Sequence, residues 1–196
     1  MDADQVTTLR ALLASTHWLE RAGLLGHALR TSTKTRGGLL VVGTPAQDPW
    51  HVTAHLDEES RLSRIPELMP TLVRWCPPPG APPHLSVGLA RLEEARRGET
   101  LFVVAEDLAP APLLERVNDA RHTGATILAL DTGDPELDGL AHESLAVPST
   151  GLLDFDGAQH LVSAAAGTRE DPRSRRGGVR ARLARFLDIV AGTPSA

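Results

Sequence analysis

The chain has no tyrosine and a single cysteine, Cys76. Lys34 is the one lysine and Asn118 the one asparagine. With one thiol, no internal disulfide can form, so an oxidising compartment is not implied. Aromatic residues make up only 3% of the 196 residues, which disfavours base-stacking platforms and aromatic sugar clefts. Near-exclusive use of arginine over lysine reads as the bias of a GC-rich bacterial genome and carries no mechanism. No stretch approaches the roughly 20 apolar residues of a membrane-spanning helix. The N-terminal segment carries Asp2, Asp4, Arg10 and Glu20 where a signal peptide would have an apolar core. A cytoplasmic location without membrane insertion is expected. The formal net charge of -5 argues against a nucleic-acid partner, which demands a clustered cationic surface.

What is present is a repeating pattern. Apolar residues Val6, Leu9, Leu13, Leu25, Ala28 and Leu29 recur at helical spacing and predict an N-terminal helix, broken near Gly23. Short apolar runs then follow: Leu39 to Val42, Thr71 to Val73, Leu101 to Val104, Thr126 to Leu130 and Leu145 to Val147. Such runs predict strands buried on both faces of a parallel sheet. Helical stretches near 84–97 and 111–123 separate them. Strands alternating with helices predict an α/β fold: a doubly wound, Rossmann-like, mostly parallel sheet of about five strands flanked by helices. The proline run from Cys76 to Pro83 cannot continue a helix or a central strand, so it is read as a stiff connector inside the domain. One domain is expected over 1–196. It divides into a helical segment 1–36, an α/β core 37–167, a linker 168–178 and a final helix 179–191 built on Val179, Leu183, Phe186, Leu187 and Val190.

Several features from Gly98 onward fall in a recognisable order. They are Gly98-Glu99, the strand Leu101 to Val104, a helix from about Pro112, Arg121-His122-Thr123-Gly124, the strand Ala125 to Leu130, Leu140-Ala141 and Val147-Pro148. In this order the chain resembles the sugar isomerase (SIS) domain family, and especially its phosphoheptose isomerase branch. Gly38 to Gly43 and Arg61 extend the resemblance, which covers about 150 residues judged against topology priors. The resemblance implies a SIS-type fold, assembly as a dimer or tetramer and a small sugar-derived ligand, with a protein partner as another role seen among relatives. It also implies where chemistry should sit. The family's Ser-x-Ser-Gly phosphate turn corresponds to Ala105-Glu106-Asp107-Leu108-Ala109-Pro110, and its Gly-Asn-Gly-Gly-Ser turn to Gly43-Thr44-Pro45-Ala46-Gln47. Its catalytic glutamate corresponds to Asp57. Its late catalytic histidine should fall within Val162 to Gly167, where there is none, although Gln159 and His160 resemble part of that helix.

Two carboxylates and a proline are poor replacements for a phosphate cradle of hydroxyls and backbone N–H groups. Ligand-binding candidates are therefore Gly43, Thr44, Gln47, Glu106, Asp107, Ser149, Gln159 and His160, with Asp57 the catalytic candidate. Ser149 is joined by Thr150 and Gly151 in a loop where open α/β sheets bind ligands. Glu106 and Asp107 have a structural reading as caps of the following helix. His51 and His55, four apart on a helix, could hold a metal, but no His-Glu-x-x-His motif is formed because Val52 follows His51. A polar face at a pocket or a subunit contact is the competing reading, and no cofactor is expected. Cys76 is read as a packed, inert thiol. The arginines at 173, 175, 176, 180, 182 and 185 are read as a solvated linker and helix face. The expectation is a SIS-like binding, regulatory or scaffold protein without catalysis. The alternatives are a sugar phosphate isomerase with a relocated site and a metal-dependent hydrolase.

Overall fold

The computed structural model describes residues 18–148 and 153–168. Its elements in order are α1 (Trp18–Ser32), β1 (Leu39–Val42), α2 (Trp50–Ser63), β2 (Pro70–Val73), α3 (Ala90–Glu93), β3 (Thr100–Ala105), α4 (Ala111–His122), β4 (Thr126–Asp131), α5 (Pro135–Leu140), β5 (Glu143–Ala146) and α6 (Phe155–Ala166). The five strands form one sheet in the order β2-β1-β3-β4-β5, and every pairing is parallel. Register runs through the middle as Val41 opposite both Leu72 and Phe102, and Phe102 opposite Leu128.

Period-two alternation splits the apolar runs between two cores. Leu39, Val41, Phe102, Val104, Leu128 and Leu130 pack with Leu25 and Leu29 of α1, Val52 and Leu56 of α2, and Leu161 and Val162 of α6. Leu40, Val42, Leu101, Val103, Ile127 and Ala129 pack with Leu92 of α3, Leu113 and Val117 of α4, and Leu137 of α5. Burial on both faces is the physical reason these runs are continuous in apolarity. Gly98 and Gly124 stand just before β3 and β4 with φ of 90° and 95°, backbone that favours glycine, which accounts for their place in the family pattern.

Four local expectations are corrected. Gly23 does not break α1: it lies buried inside a continuous helix. The stretch 84–97 is not one helix: Pro83–Leu85 makes a 3-10 turn and α3 only a single turn, since prolines precede the segment and Gly88 interrupts it. The last strand begins at Glu143, two residues earlier than its apolar run suggests. Cys76 is exposed, not packed, because the proline connector lies on the surface. The helical turns expected before Trp18, the expected linker and final helix and the arginine run lie outside the described residues, as do Ser149, Thr150 and Gly151. No helix among the described residues is long and apolar enough to cross a membrane.

Candidate functional site

The sheet changes winding direction between β1 and β3, which are neighbours in space but not in sequence. In open α/β sheets the crevice beyond the carboxyl ends of two such strands is where ligands bind. Two loops meet there. The first leaves β1 at Gly43 and curls back so tightly that a Cβ on Gly43 would run into the carbonyl oxygen of Gln47 and lie 2.8 Å from Pro49 Cδ. Thr44 and Gln47 bridge each other across this turn. Trp75 donates from Nε1 to the Gly43 carbonyl at 2.8 Å, and Arg74 pairs with Asp48 at 3.3 Å, so the turn is fixed from the β2 side.

The second loop follows β3. Gln47 Nε2 donates to Glu106 Oε2 at 3.0 Å, joining the two loops. Asp107 and Leu108 are exposed beside it. The Ala109 N–H is already engaged, donating to Asp134 Oδ2 at 2.8 Å, and Thr132 Oγ1 donates to the Glu106 carbonyl at 3.0 Å. Helix α4 starts at Ala111 with Pro110 in the cap position and no side-chain cap. Neither Glu106 nor Asp107 is therefore the helix cap that the sequence suggests; Glu106 instead faces the amide of Gln47.

Sequence reasoning missed two residues in this region. Asp131, 1% exposed at the end of β4, accepts from the Gly133 and Asp134 N–H groups through Oδ1, while Oδ2 has no partner among the described residues. Burial raises its pKa, against the opposing pull of those two N–H groups. Asp134 caps α5 through the Glu136 and Leu137 N–H groups. The hydroxyl of buried Thr44 and the Oε1 of Gln47 likewise lack partners among the described residues. The only signal in the sequence was Asp134-Pro135, a cap-and-proline start of a helix.

A second constellation lies between α2 and α6. His51 and His55 stand one helical turn apart on α2, and α6 brings His160 onto both. The His160 ring centroid is 4.7 Å from that of His51 and 4.2 Å from that of His55. His51 Nε2 and His55 Nε2 are 3.1 Å apart. Asp156 Oδ1 lies 3.7 Å from His51 Nδ1, and Glu58 Oε2 lies 3.9 Å from His55 Nδ1. Burial, and then the charges of His55 and His51, lower the His160 pKa to about 4 against the weaker opposing pull of Asp156 and Asp154. His55 is lowered too, first by burial and then by His51, with Glu58 opposing. Asp57 is not part of this group, because its carboxylate pairs with Arg61 one turn along α2. Gln159 is 2% exposed and donates to Asp156 Oδ1 at 3.0 Å, so it positions that carboxylate.

The cluster makes stability pH-dependent in a defined direction. Below the ordinary imidazole value of 6.5 the unfolded chain takes up protons that folded His160 accepts only near pH 4, so acidification through that interval favours unfolding. The contribution is complete above 6.5 and lost toward 4, and for a half-buried group it is about 1–2 kcal/mol after solvent screening. Asp131, with its pKa raised by burial above the ordinary carboxylate value, acts in the opposite sense. Urea unfolding of the wild type and His160→Gln from pH 7 to pH 4 isolates the histidine: the wild type should lose more stability than the variant. Parallel profiles would remove His160 as the cause.

No family model and no curated protein sequence matches the chain. Among solved structures it is similar to a proposed sugar-binding protein of Salmonella typhimurium LT2, with a TM-score of 0.56 and 18% identity over 94% of this chain and 53% of that one. It is also similar to a proposed phosphosugar isomerase of Silicibacter pomeroyi DSS-3, with a TM-score of 0.56 and 13% identity over 96% of this chain and 54% of that one. Sheet order and likeness together define an all-parallel α/β fold of the kind these two structures have. The chain spans about half the length of both proteins.

Proposed function

We propose that this chain is a SIS-like binding protein, regulatory or scaffolding in role, that does not isomerise phosphosugars. The observation that carries the reading is the state of the loop after β3. A phosphate at a helix N-terminus needs free N–H groups and no competing negative charge. Here the Ala109 N–H is held by Asp134, Pro110 has none, and the carboxylates of Glu106 and Asp107 flank the opening. Asp57, the counterpart of the family's catalytic glutamate, is neutralised by Arg61.

The ligand that suits such a surface is uncharged and hydroxyl-rich, because the exposed carboxylates of Glu106 and Asp107 accept hydrogen bonds from hydroxyls and repel anions. Assembly as a dimer or tetramer belongs to the same proposal, and light scattering reads it directly. Thermal-shift measurements with hexose and heptose phosphates, their unphosphorylated sugars and inorganic phosphate test the ligand reading. Phosphates should leave Tm unchanged, and no aldose phosphate should convert to a ketose phosphate. A bound sugar at about a hundred times its Kd should add about 2.7 kcal/mol. Stabilisation by a sugar phosphate, or turnover of one, overturns the proposal.

A further inference from the structure

We propose that His51, His55 and His160 bind one divalent late first-row transition metal ion, of which zinc is the type, and that the ion clamps α2 to α6. This inference is independent of the ligand reading above, since it rests on histidines of α2 and α6 and not on the loop after β3.

The distances suit one ion. Two imidazole nitrogens, each about 2.0–2.1 Å from a tetrahedral zinc, stand about 3.3 Å apart. His51 Nε2 and His55 Nε2 are 3.1 Å apart. One ligand atom from each of the three histidines lies within 4.8 Å of the others, so binding one ion draws them together by about 1.5 Å at most.

The surroundings have the arrangement that orients metal-binding imidazoles. Such rings place a carboxylate against the nitrogen that does not bind the metal, which fixes the tautomer and aims the other lone pair inward. Asp156 sits by Nδ1 of His51 and Glu58 by Nδ1 of His55, while the Nε2 atoms face each other. Asp156 is itself held by the amide of buried Gln159. An all-imidazole set selects zinc, copper, nickel or cobalt over magnesium and calcium, which demand oxygen. The side chains of His51 and His55 remain 33% and 29% exposed, so the ion can enter from solvent, and a fourth position stays open to water or an external donor.

The test uses the full chain, free of any histidine tag and stripped with EDTA. Titration with cobalt(II) should develop the visible band of a low-coordinate site at one ion per chain, and zinc should displace it. Zinc should raise Tm; magnesium should not. His51→Gln and His160→Gln should each weaken zinc binding at least about a hundredfold, and Asp156→Asn about tenfold. His84→Gln, in the proline connector, should leave it unchanged. Circular dichroism on each variant separates lost ligands from lost fold. Wild-type protein that takes up no ion at micromolar zinc, or folded His51→Gln and His160→Gln variants that keep wild-type affinity, would overturn the site.

Discussion

Phe102→Ala should lower the unfolding free energy by about 3–5 kcal/mol, the largest loss expected from a single core truncation among the described residues. Phe102 is fully buried on β3, between β1 and β4, and belongs to the core shared with α1, α2 and α6. The chain has only three phenylalanines and no tyrosine, and the other buried residues of this core are leucine, valine and alanine apart from Phe155. Strand positions cannot collapse inward, because Val41 and Leu128 are locked opposite Phe102 by the parallel ladders. Urea unfolding should show a reduced midpoint with an unchanged slope, which is a change in stability without a change in the surface exposed. A loss under about 1 kcal/mol would mean that this face of the sheet is loosely packed, contrary to its complete burial.

The central strands β1, β3 and β4 were legible in the sequence because a parallel strand buried on both faces is an unbroken apolar run, while the edge strands β2 and β5 showed only in part. Helix α4 was legible for a different reason: Leu113, Val117 and Ala120 recur at helical spacing against polar neighbours. The 84–97 stretch misled because its polar and apolar residues also fit a helix, and only the surrounding Pro82, Pro83 and Gly88 decide against it. Strand β5 misled by two residues, since its opening Glu143 and Ser144 are half-buried at the sheet edge and lack the apolar signature.

The candidate site was legible only in fragments. That His51 and His55 share a helix face follows from their spacing. That His160 completes the group does not, because periodicity tells which face of α6 is buried but not which helix it meets. Glu106 illustrates the same limit. Its place after β3 followed from the family pattern, but its partner Gln47 comes from another loop 59 residues away in sequence. Asp131 was hidden at the end of a strand read as wholly apolar, where its burial and its bonds to Gly133 and Asp134 are tertiary facts.

Gly26→Val should destabilise the chain by about 3 kcal/mol, at the upper end of overpacking costs. Gly26 lies on α1 where it crosses α6, and a Cβ added there would stand 2.6 Å from Ala165 Cβ and 2.7 Å from both Ala165 C and Ala166 N. Two of these three atoms are backbone, so a rotamer change cannot relieve the clash and the helices must part. Gly139→Ala is the control, since a Cβ there meets nothing within 4 Å, and the gain in helix propensity should leave it neutral or stabilised by up to about 1 kcal/mol. The same displacement has a second readout. Helix α6 carries His160, so pushing it from α1 shifts that ring against His51 and His55, whose helix α2 also packs on α6. In Gly26→Val the acid sensitivity that separates wild type from His160→Gln should shrink, and zinc affinity should fall even though no ligand has been touched. A variant that loses stability but keeps both properties would show that α6 moves as a rigid unit with α2, and that the histidine cluster does not depend on how closely α1 approaches.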